Sequence, residues 1–515
     1  MVAAGPGDPQ LMTLRGAQAL ADAEVVVSDS DVLEVAEHLA PNAEVVAAVD
    51  TNGLPITRAA RVKKVLAAAR GGSSVVRLMS GDPSLDGSLA EEGEALHKAG
   101  VRFDFVPAAS TLATAAFAGV PLTTKRVTKV LTLTGVDDPL PTGIDNRTTV
   151  VALSGADKAD EFAARLLAAG LDAATPMVVT RAGSTVEQRS LVSTLGEIKK
   201  AAKAAKLAGP GMIVVGPTVS ARAELDWFET KPLFGWRVLI PRTKEQAGEV
   251  SARLTPFGAV GAEVPTISVE PPRTPQQMEK AIGGIVDGSY AWVVFTSSNA
   301  VRAVRERLEN RGLDARDLAG VKLAAVGDKT AEALRVFGAA PDLAPTDDQS
   351  SAGLVAAWHA YDRDIDGANN RVFLPRADIA TVTLVEGLTA LGWAPDDVTA
   401  YRTVRAAPPP APIREAIKTG GFDAVLFTSS STVRNLVGIA GKPHTTTVVA
   451  CIGPATAKTA EEHGLRVDVL ASEPKIDVLV DELAAFGEQL RLTAKEAGES
   501  SWRPSRKRGT RRRAS

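Results

Sequence analysis

Apolar and polar positions alternate along this chain in short blocks of two kinds. Runs rich in β-branched residues, such as Glu24–Val27, Ser74–Leu78, Thr148–Leu153, Met212–Val215, Val238–Ile240, Trp292–Phe295 and Ala424–Phe427, have the length and composition of buried strands. Between them lie Ala/Leu/Glu/Arg-rich segments with a helical apolar stripe. That alternation predicts an α/β architecture throughout. Pro232–Gly235 divides the pattern into two blocks: Ala221–Phe228 reads as a closing helix ahead of it, and Arg237–Arg242 starts a new strand behind it. With 515 residues, 45% of them hydrophobic, the chain is long enough for several domains with full cores.

The second block contains an internal duplication. Arg237-Val-Leu-Ile-Pro-Arg242 returns as Arg371-Val-Phe-Leu-Pro-Arg376, and Gly258, which ends the next helical pattern, returns as Gly392. Phe295-Thr-Ser-Ser-Asn-Ala-Val301 returns as Phe427-Thr-Ser-Ser-Ser-Thr-Val433, and Ala325-Val-Gly-Asp-Lys-Thr-Ala331 as Cys451-Ile-Gly-Pro-Ala-Thr-Ala457. A repeat this long predicts two similar lobes with a cleft, not a solenoid of short repeats. Pro265–Pro272 and Ala400–Pro408 occupy matched places, each an extended run followed by proline, as suits a connector strand. Two crossings there would make one lobe from 236–268 plus 405–488 and the other from 270–402.

Charge and composition narrow the classes. Lys+Arg 58 against Asp+Glu 61 leaves a net charge of −3, which argues against a body-wide nucleic-acid surface. The bias is local: Arg503, Arg506, Lys507, Arg508, Arg511, Arg512 and Arg513 make 489–515 read as a basic, disordered tail. Cys451 is alone, which excludes an intrachain disulfide and a thiolate zinc site. His38, His97, His359, His444 and His463 are scattered, and no metal is expected. No signal-peptide pattern or membrane-length apolar run is visible, so a cytoplasmic protein with no membrane and no nucleic-acid partner is expected.

The candidate chemistry sits at strand-to-helix turns. Thr296, Ser297, Ser298 and Asn299, and in the second copy Ser429, Ser430, Ser431 and Thr432, follow an apolar strand and open a helix. Gly327, Lys329 and Thr330, and Gly453 and Thr456, have the same layout. Helix capping alone explains one such turn. Four of them at the carboxyl ends of strands in two facing lobes suit carboxylate or phosphate binding, and a donor-rich neutral cleft suits a flexible polyanion. Arg242 and Arg376, ending matched strands, either meet substrate carboxylates or form surface salt bridges. Neither a nucleophilic triad nor a Walker loop is present, so catalysis by positioning is expected.

Phe295–Val301, Leu374-Pro-Arg-Ala-Asp378, Ala400-Tyr-Arg-Thr-Val404, Phe427–Val433 and Cys451–Gly464 together resemble the uroporphyrinogen-III synthases over essentially all of 236–488. The resemblance implies Rossmann-like lobes joined by two connector strands and closure of hydroxymethylbilane with loss of water and inversion of the last pyrrole ring. It implies no cofactor, with backbone amides and hydroxyls holding the substrate's acetates and propionates. The family's tyrosine that assists departure of the hydroxyl falls on Tyr401, which on its own pattern is an edge-strand aromatic packing against the hinge.

Residues 1–230 resemble the tetrapyrrole methylases, specifically uroporphyrinogen-III C-methyltransferase, through Gly5-Pro-Gly-Asp-Pro9, Thr13-Leu-Arg-Gly16, Gly81-Asp-Pro83, Ala118–Thr123, Pro210–Gly216 and Leu225–Gly235. This implies two α/β lobes, about 1–124 and 128–229, a homodimer through this domain, and S-adenosylmethionine held near Gly5, Pro6, Gly7, Asp8, Gly81, Asp82, Pro83, Ser110 and Thr111. The chain departs from the pattern at several places. Ser80-Gly81 stands for paired glycines, Asp86-Gly-Ser-Leu89 for Phe-Gly-Arg-Gly, and Val106-Pro-Ala108 for Val-Pro-Gly. Ser154 stands for methionine and Val136 for histidine. Each lost glycine adds a Cβ where backbone would approach the cofactor. Three readings stay open: a synthase fused to a degenerate methylase, a bifunctional protein that also methylates uroporphyrinogen III, and a non-catalytic tetrapyrrole-binding or regulatory protein.

Overall fold

The computed structural model describes residues 1–205, 211–242, 244–379, 381–499 and 501–506, with no account of the side chains of 244–247. Pro210 and the basic residues Lys507–Arg513 lie outside the described residues. The chain divides into two compact units, Met1–Val238 with Val250–Gly261 and Val480–Ser515, and Leu239–Glu249 with Ala262–Leu479.

The first unit holds two sheets. Strands β1 (Val2–Ala3), β2 (Val25–Ser28), β3 (Glu44–Ala47) and β4 (Val75–Met79) form a parallel sheet in the order β1-β4-β2-β3. Strands β5 (Lys129–Leu133), β6 (Thr148–Ala152), β7 (Pro176–Arg181), β8 (Arg189–Thr194) and β9 (Gly211–Val215) form a mixed sheet in the order β5-β6-β9-β7-β8. Val150, Val151 and Ala152 are fully buried, the mark of a strand covered on both faces, which is why these strands read as unbroken apolar runs.

The expected closing helix is shorter than its pattern suggested. A 3-10 turn, Pro217–Ala221, leads into a helix of only Arg222–Leu225. The chain leaves helical geometry at Asp226, and Trp227 and Phe228 pack on Phe117 with ring centroids 5.3 and 4.9 Å away. Aromatic burial overrides local helical preference there. The Pro232–Gly235 segment is no loose linker: Leu233, Phe234 and the adjoining Trp236 are buried, and Gly235 has φ 73°. The disorder expected from 489 is also corrected over the described part of the tail. A helix spans Ile476–Glu496, because the apolar stripe of Val480, Leu483 and Ala484 continues to the buried Ala494. Beyond it Arg503 and Pro504 are buried, and the Trp502 indole N–H donates to the Pro232 carbonyl at 3.4 Å.

Ten strands make the two sheets of the duplicated block among the described residues. They are β10 (Arg237–Ile240), β11 (Val260–Glu263), β12 (Ile267–Glu270), β13 (Trp292–Phe295), β14 (Lys322–Ala325), β15 (Arg371–Ala377), β16 (Ala394–Arg405), β17 (Ala424–Phe427), β18 (Val448–Cys451) and β19 (Val469–Leu470). One sheet runs β11-β10-β17-β18-β19 and the other β12-β16-β15-β13-β14. The repeated motifs thus occupy three consecutive places in each sheet, β10-β17-β18 and β15-β13-β14. Each sheet takes its first strand from one copy of the repeat and its next two from the other.

This exchange requires the chain to cross twice, and the two crossings pair: Ile267–Glu270 lies antiparallel to Arg402–Arg405, with Ile267 opposite Arg405 and Glu270 opposite Arg402. The lobes are therefore joined by a two-stranded ribbon. The matched glycines Gly258 and Gly392 take φ 84° and 85°, so the same turn geometry ends the same helix in both copies. Phe295 and Phe427, ending β13 and β17, are both fully buried, each worth about 1.5–3 kcal/mol to its lobe. Those phenylalanines anchor the turns that follow.

Candidate functional site

The turns after β13 and β17 form as capped helix starts. Ser297 accepts the Ala300 amide at 3.2 Å and opens the helix Ser298–Glu309. Ser429 accepts the Thr432 amide at 3.3 Å and opens Ser430–Ala440, with Thr432 returning the bond to the Ser429 amide to complete a capping box. Beyond the cap the copies differ. Ser297 Oγ lies 2.9 Å from the Tyr401 hydroxyl, whereas Ser429 Oγ lies 2.9 Å from Ser431 Oγ. Ser430 donates to the Ala455 carbonyl at 3.0 Å and accepts from Thr459 at 2.9 Å, which ties the second turn to the helix Pro454–Glu462.

Tyr401 reaches Ser297 through sheet register. The parallel pairing of β15 with β16 carries a shift between Arg376 and Ala377, after which Ala377 faces Tyr401. This sets Tyr401 at the carboxyl edge of the sheet, past the end of β13 and beside the turn that follows it. Its ring is buried at 7% exposure among Phe295, Phe373 and Ala400. Tyr401 also lines a hollow of about 300 Å³, together with Val269, Glu270, Asn299, Arg302 and Glu306. Arg302 donates to the Asn299 side chain at 3.2 Å, and Arg402 holds Glu270 at 2.7 Å. Two arginines, two carboxylates, an amide and Tyr401 therefore share one recess beside the connector ribbon.

The remaining sequence candidates are placed as follows. Thr296 is partly buried, and Ser298 is exposed on the first turn. Gly327 opens the helix Asp328–Phe337, but Gln349 covers that helix start: its side-chain oxygen accepts the Asp328 amide at 3.2 Å while its nitrogen donates to Asp328 at 2.6 Å. Lys329 is exposed and Thr330 is buried. Gly453 has nothing within 4 Å of the position a Cβ would take, so the second copy's helix start is open where the first is closed. Thr456 is buried. Arg242 is half-buried, and burial holds its guanidinium below its ordinary value. Arg376 is not offered to a ligand. It is 6% exposed and clamped by Asp397, with Nε 2.7 Å from Oδ1 and a second contact to Oδ2, so its donors are already satisfied.

Arg302 and Glu306 were not singled out from the sequence. The available signal was the helical spacing Asn299, Arg302, Ala303, Glu306, which extends the turn's polar face along the helix. Cys451 is buried, and burial with the charge of Glu461 pushes its thiol up to about 12, so it is no nucleophile.

In the first unit the loops after β1 and β4 meet. The Gly5 amide donates to the Gly81 carbonyl at 3.1 Å, with both residues at positive φ, 80° and 67°. A Cβ on Gly5 would lie 3.4 Å from Ala108 Cβ, and one on Gly81 3.3 Å from Thr111 Oγ1. Ser110 caps the same turn through the Leu112 amide at 3.4 Å. Asp82 receives Ser84, and Pro83 follows it in the β4 loop. Gly7 is seated against Gly183 and Thr185, and the Asp8 amide donates to Ser184 Oγ at 3.1 Å, while the Asp8 carboxylate caps Gln10 at 2.9 Å behind Pro6-Gly7. This Ala182–Gln188 loop was also missed; Ala182 and Ser184 hold φ 47° and 64°, an uncommon conformation for residues with a Cβ.

The residues present fit S-adenosylmethionine in the first lobe, where glycine backbone lines the meeting of loops. They do not fit it in the second. Val136 is buried in that lobe's core, with its methyls 2.6 and 2.7 Å from where a Gly155 Cβ would stand, and Ser154 Oγ is spent on the Thr134 carbonyl at 2.7 Å. No cluster of metal-ligating side chains exists among the described residues, and none of their helices is long and apolar enough to cross a membrane.

The matches to known proteins make this a two-domain, lyase-type enzyme of tetrapyrrole biosynthesis. A family model for the tetrapyrrole (corrin/porphyrin) methylases matches residues 1–199, and one for uroporphyrinogen-III synthase HemD matches residues 248–481. The porphyrin biosynthesis protein HemD of Ruminiclostridium josui is 30% identical over 499 residues, spanning 95% of this chain and 97% of that protein. The chain belongs to that HemD family, with the methylase domain leading and the synthase domain following. The uroporphyrinogen-III C-methyltransferase of Bacillus subtilis (strain 168) is 29% identical over 343 residues, 64% of this chain and 69% of that one. Among solved structures, a uroporphyrin-III-C-methyltransferase from Thermus thermophilus is 28% identical, with a TM-score of 0.37 over 44% of this chain and 94% of its own. A mutant uroporphyrinogen III synthase, also from Thermus thermophilus, is 18% identical, with a TM-score of 0.33 over 50% and 99%.

Proposed function

We propose that residues 236–488 act as a uroporphyrinogen-III synthase, closing hydroxymethylbilane with inversion of the last pyrrole ring and loss of water. The observation that carries this reading is the meeting of Tyr401 and Ser297, 2.9 Å apart, at a polar hollow beside the hinge ribbon. In this reading Tyr401 gives its proton to the departing hydroxyl. The C–O bond breaks with its electron pair on oxygen and water leaves. The terminal ring's substituted carbon bonds to the carbon so freed, its old bond to the adjoining methylene breaks, the ring's unsubstituted carbon bonds to that methylene instead, and the proton this last carbon loses restores the phenol. The synthase domain itself needs no cofactor for this chemistry. Arg302 and Asn299 in the hollow, the exposed Ser298 and the open helix start at Gly453 supply donors to the substrate's carboxylates. Arg242 and Lys329 add charge, and Arg376 is left out because Asp397 holds it.

The test is consumption of hydroxymethylbilane at substoichiometric protein. Many turnovers per chain, faster than spontaneous closure, support the reading. Binding of tetrapyrrole with consumption at the uncatalysed rate would instead favour a non-catalytic binding protein.

A second reading, that residues 1–230 also methylate uroporphyrinogen III with S-adenosylmethionine, is favoured by the paired glycine backbone at Gly5 and Gly81. The second lobe's Val136 and Ser154 oppose it. That balance favours a domain that keeps the fold, to bind tetrapyrrole or support the synthase, without methylating. Titration calorimetry of the full chain with S-adenosylmethionine, followed by assay for methylated product, separates the cases: heat and product together establish the bifunctional protein.

A further inference from the structure

Ser297 was expected to touch substrate, yet its hydroxyl is already engaged on two sides. A serine hydroxyl has one hydrogen and two lone pairs. One lone pair accepts the Ala300 amide at 3.2 Å, which fixes Oγ at the start of the helix Ser298–Glu309. The remaining neighbour is the Tyr401 hydroxyl at 2.9 Å. Were Tyr401 to donate to Ser297, its proton would point into the turn, away from the hollow. The serine hydrogen would then be left without an acceptor among its hydrogen bonds in the structure. In the opposite direction Ser297 donates to the phenol oxygen, and it is the phenol hydrogen that stays free for an acceptor on the substrate.

The matched turn shows that capping does not demand this arrangement. Ser429 caps its helix in the same way but places its hydroxyl beside Ser431, with no tyrosine in reach of that bond. The duplicated serines have thus been put to different uses, and only the first copy's is joined to a group able to transfer a proton.

We propose that Ser297 is a positioning residue for Tyr401, its capped hydroxyl orienting the phenol so that the phenol's proton faces the substrate. This deepens the synthase reading and rests on it. As the departing hydroxyl takes the proton, negative charge grows on the phenol oxygen, and a donor already aimed at that oxygen strengthens its bond in the transition state more than in the bound substrate. The contribution therefore falls on kcat and not on KM.

The experiment is steady-state kinetics on full-length Ser297→Ala, Ser297→Gly, Ser297→Thr, Tyr401→Phe and the Ser297→Ala/Tyr401→Phe pair. Ser297→Gly keeps a favourable cap residue without the hydroxyl, so it separates loss of the tyrosine contact from loss of the cap. Ser297→Ala and Ser297→Gly should lower kcat by about 10- to 100-fold, the size of one hydrogen bond to a developing charge, with KM unchanged. Ser297→Thr should restore kcat to within about 3-fold. The paired variant should be no slower than Tyr401→Phe alone, since the serine acts only through the tyrosine. A raised KM with unchanged kcat in Ser297→Gly would make Ser297 a substrate contact and overturn the proposal, as would multiplicative losses in the pair. Full activity in Tyr401→Phe would remove the acid assignment itself, a result distinct from either.

Discussion

Arg77→Met is the perturbation whose size the structure states most directly. Arg77, 1% exposed on β4, donates to Asp29 at 2.7 Å and to Glu92 at 2.8 and 3.1 Å. Burial alone would pull its guanidinium down, but the bonds to Glu92 and the charge of Asp29 outweigh that and hold it above its ordinary value. Methionine fills much of the same volume, so the change removes the cation while leaving two buried carboxylates behind. Breaking a buried pair by removing one partner costs about 3–5 kcal/mol. Arg61, 3.3 Å from Asp29 and 3.9 Å from Glu92, is a second cation and offsets part of that. The expected loss is therefore near the lower end, about 3 kcal/mol, against a total domain stability of about 5–15 kcal/mol. Urea unfolding of the full chain followed by tryptophan fluorescence measures it, and adding Glu92→Gln should recover part of the loss by deleting one stranded charge.

The same network reaches a loop of functional interest. Asp29 also accepts the Ser80 amide at 3.0 Å, which holds the start of the Ser80-Gly81-Asp82 turn. Faster amide exchange at Ser80–Asp82 should accompany the lost stability. A loss below about 1 kcal/mol, the size of an exposed ion pair, would refute the reasoning.

Two further outcomes follow from the synthase domain. Tyr401→Phe should lower turnover by about 10²–10⁴, the contribution of a positioned general acid, while Ser298→Ala and Thr456→Ala, which remove single contacts, should each cost less than about 10-fold. Equal small losses for all three in a hydroxymethylbilane assay would make Tyr401 structural. Tyr290 donates to Asp396 at 2.5 Å, and burial together with that bond pushes its phenol above the ordinary tyrosine value. A folded value raised above the unfolded one gives stability that is complete below about pH 10 and is lost as pH climbs from there through the folded value. Tyr290→Phe should thus melt below the wild type at about pH 8, with the gap narrowing toward about pH 11; a constant gap would contradict this.

What was legible in the sequence was what is local. The strand–turn–helix units of the duplication are short, and each carries its own signals: an apolar run, a Ser/Thr cap and a closing glycine. They therefore map directly onto β10-β17-β18 and β15-β13-β14. What was not legible depends on register between distant strands. Ser297 and Tyr401 are 104 positions apart, and they meet because β15 lies between β13 and β16 with a shift after Arg376. Arg376 stayed ambiguous for the same reason. An arginine ending a strand reads alike whether it faces a ligand or, as here, an aspartate on the neighbouring strand. The tail misled through composition: its basic residues masked the apolar stripe that carries the last helix to Glu496.

The measurement closest to the central claim is the identity of the macrocycle made from hydroxymethylbilane, resolved by chromatography of the oxidised porphyrins. The grip of two lobes on an anionic chain, with Tyr401 releasing the hydroxyl, predicts the isomer whose last ring is turned round, in excess over the spontaneous product and lost with Tyr401→Phe. Recovery of the unturned isomer alone, at the rate seen without protein, would contradict it.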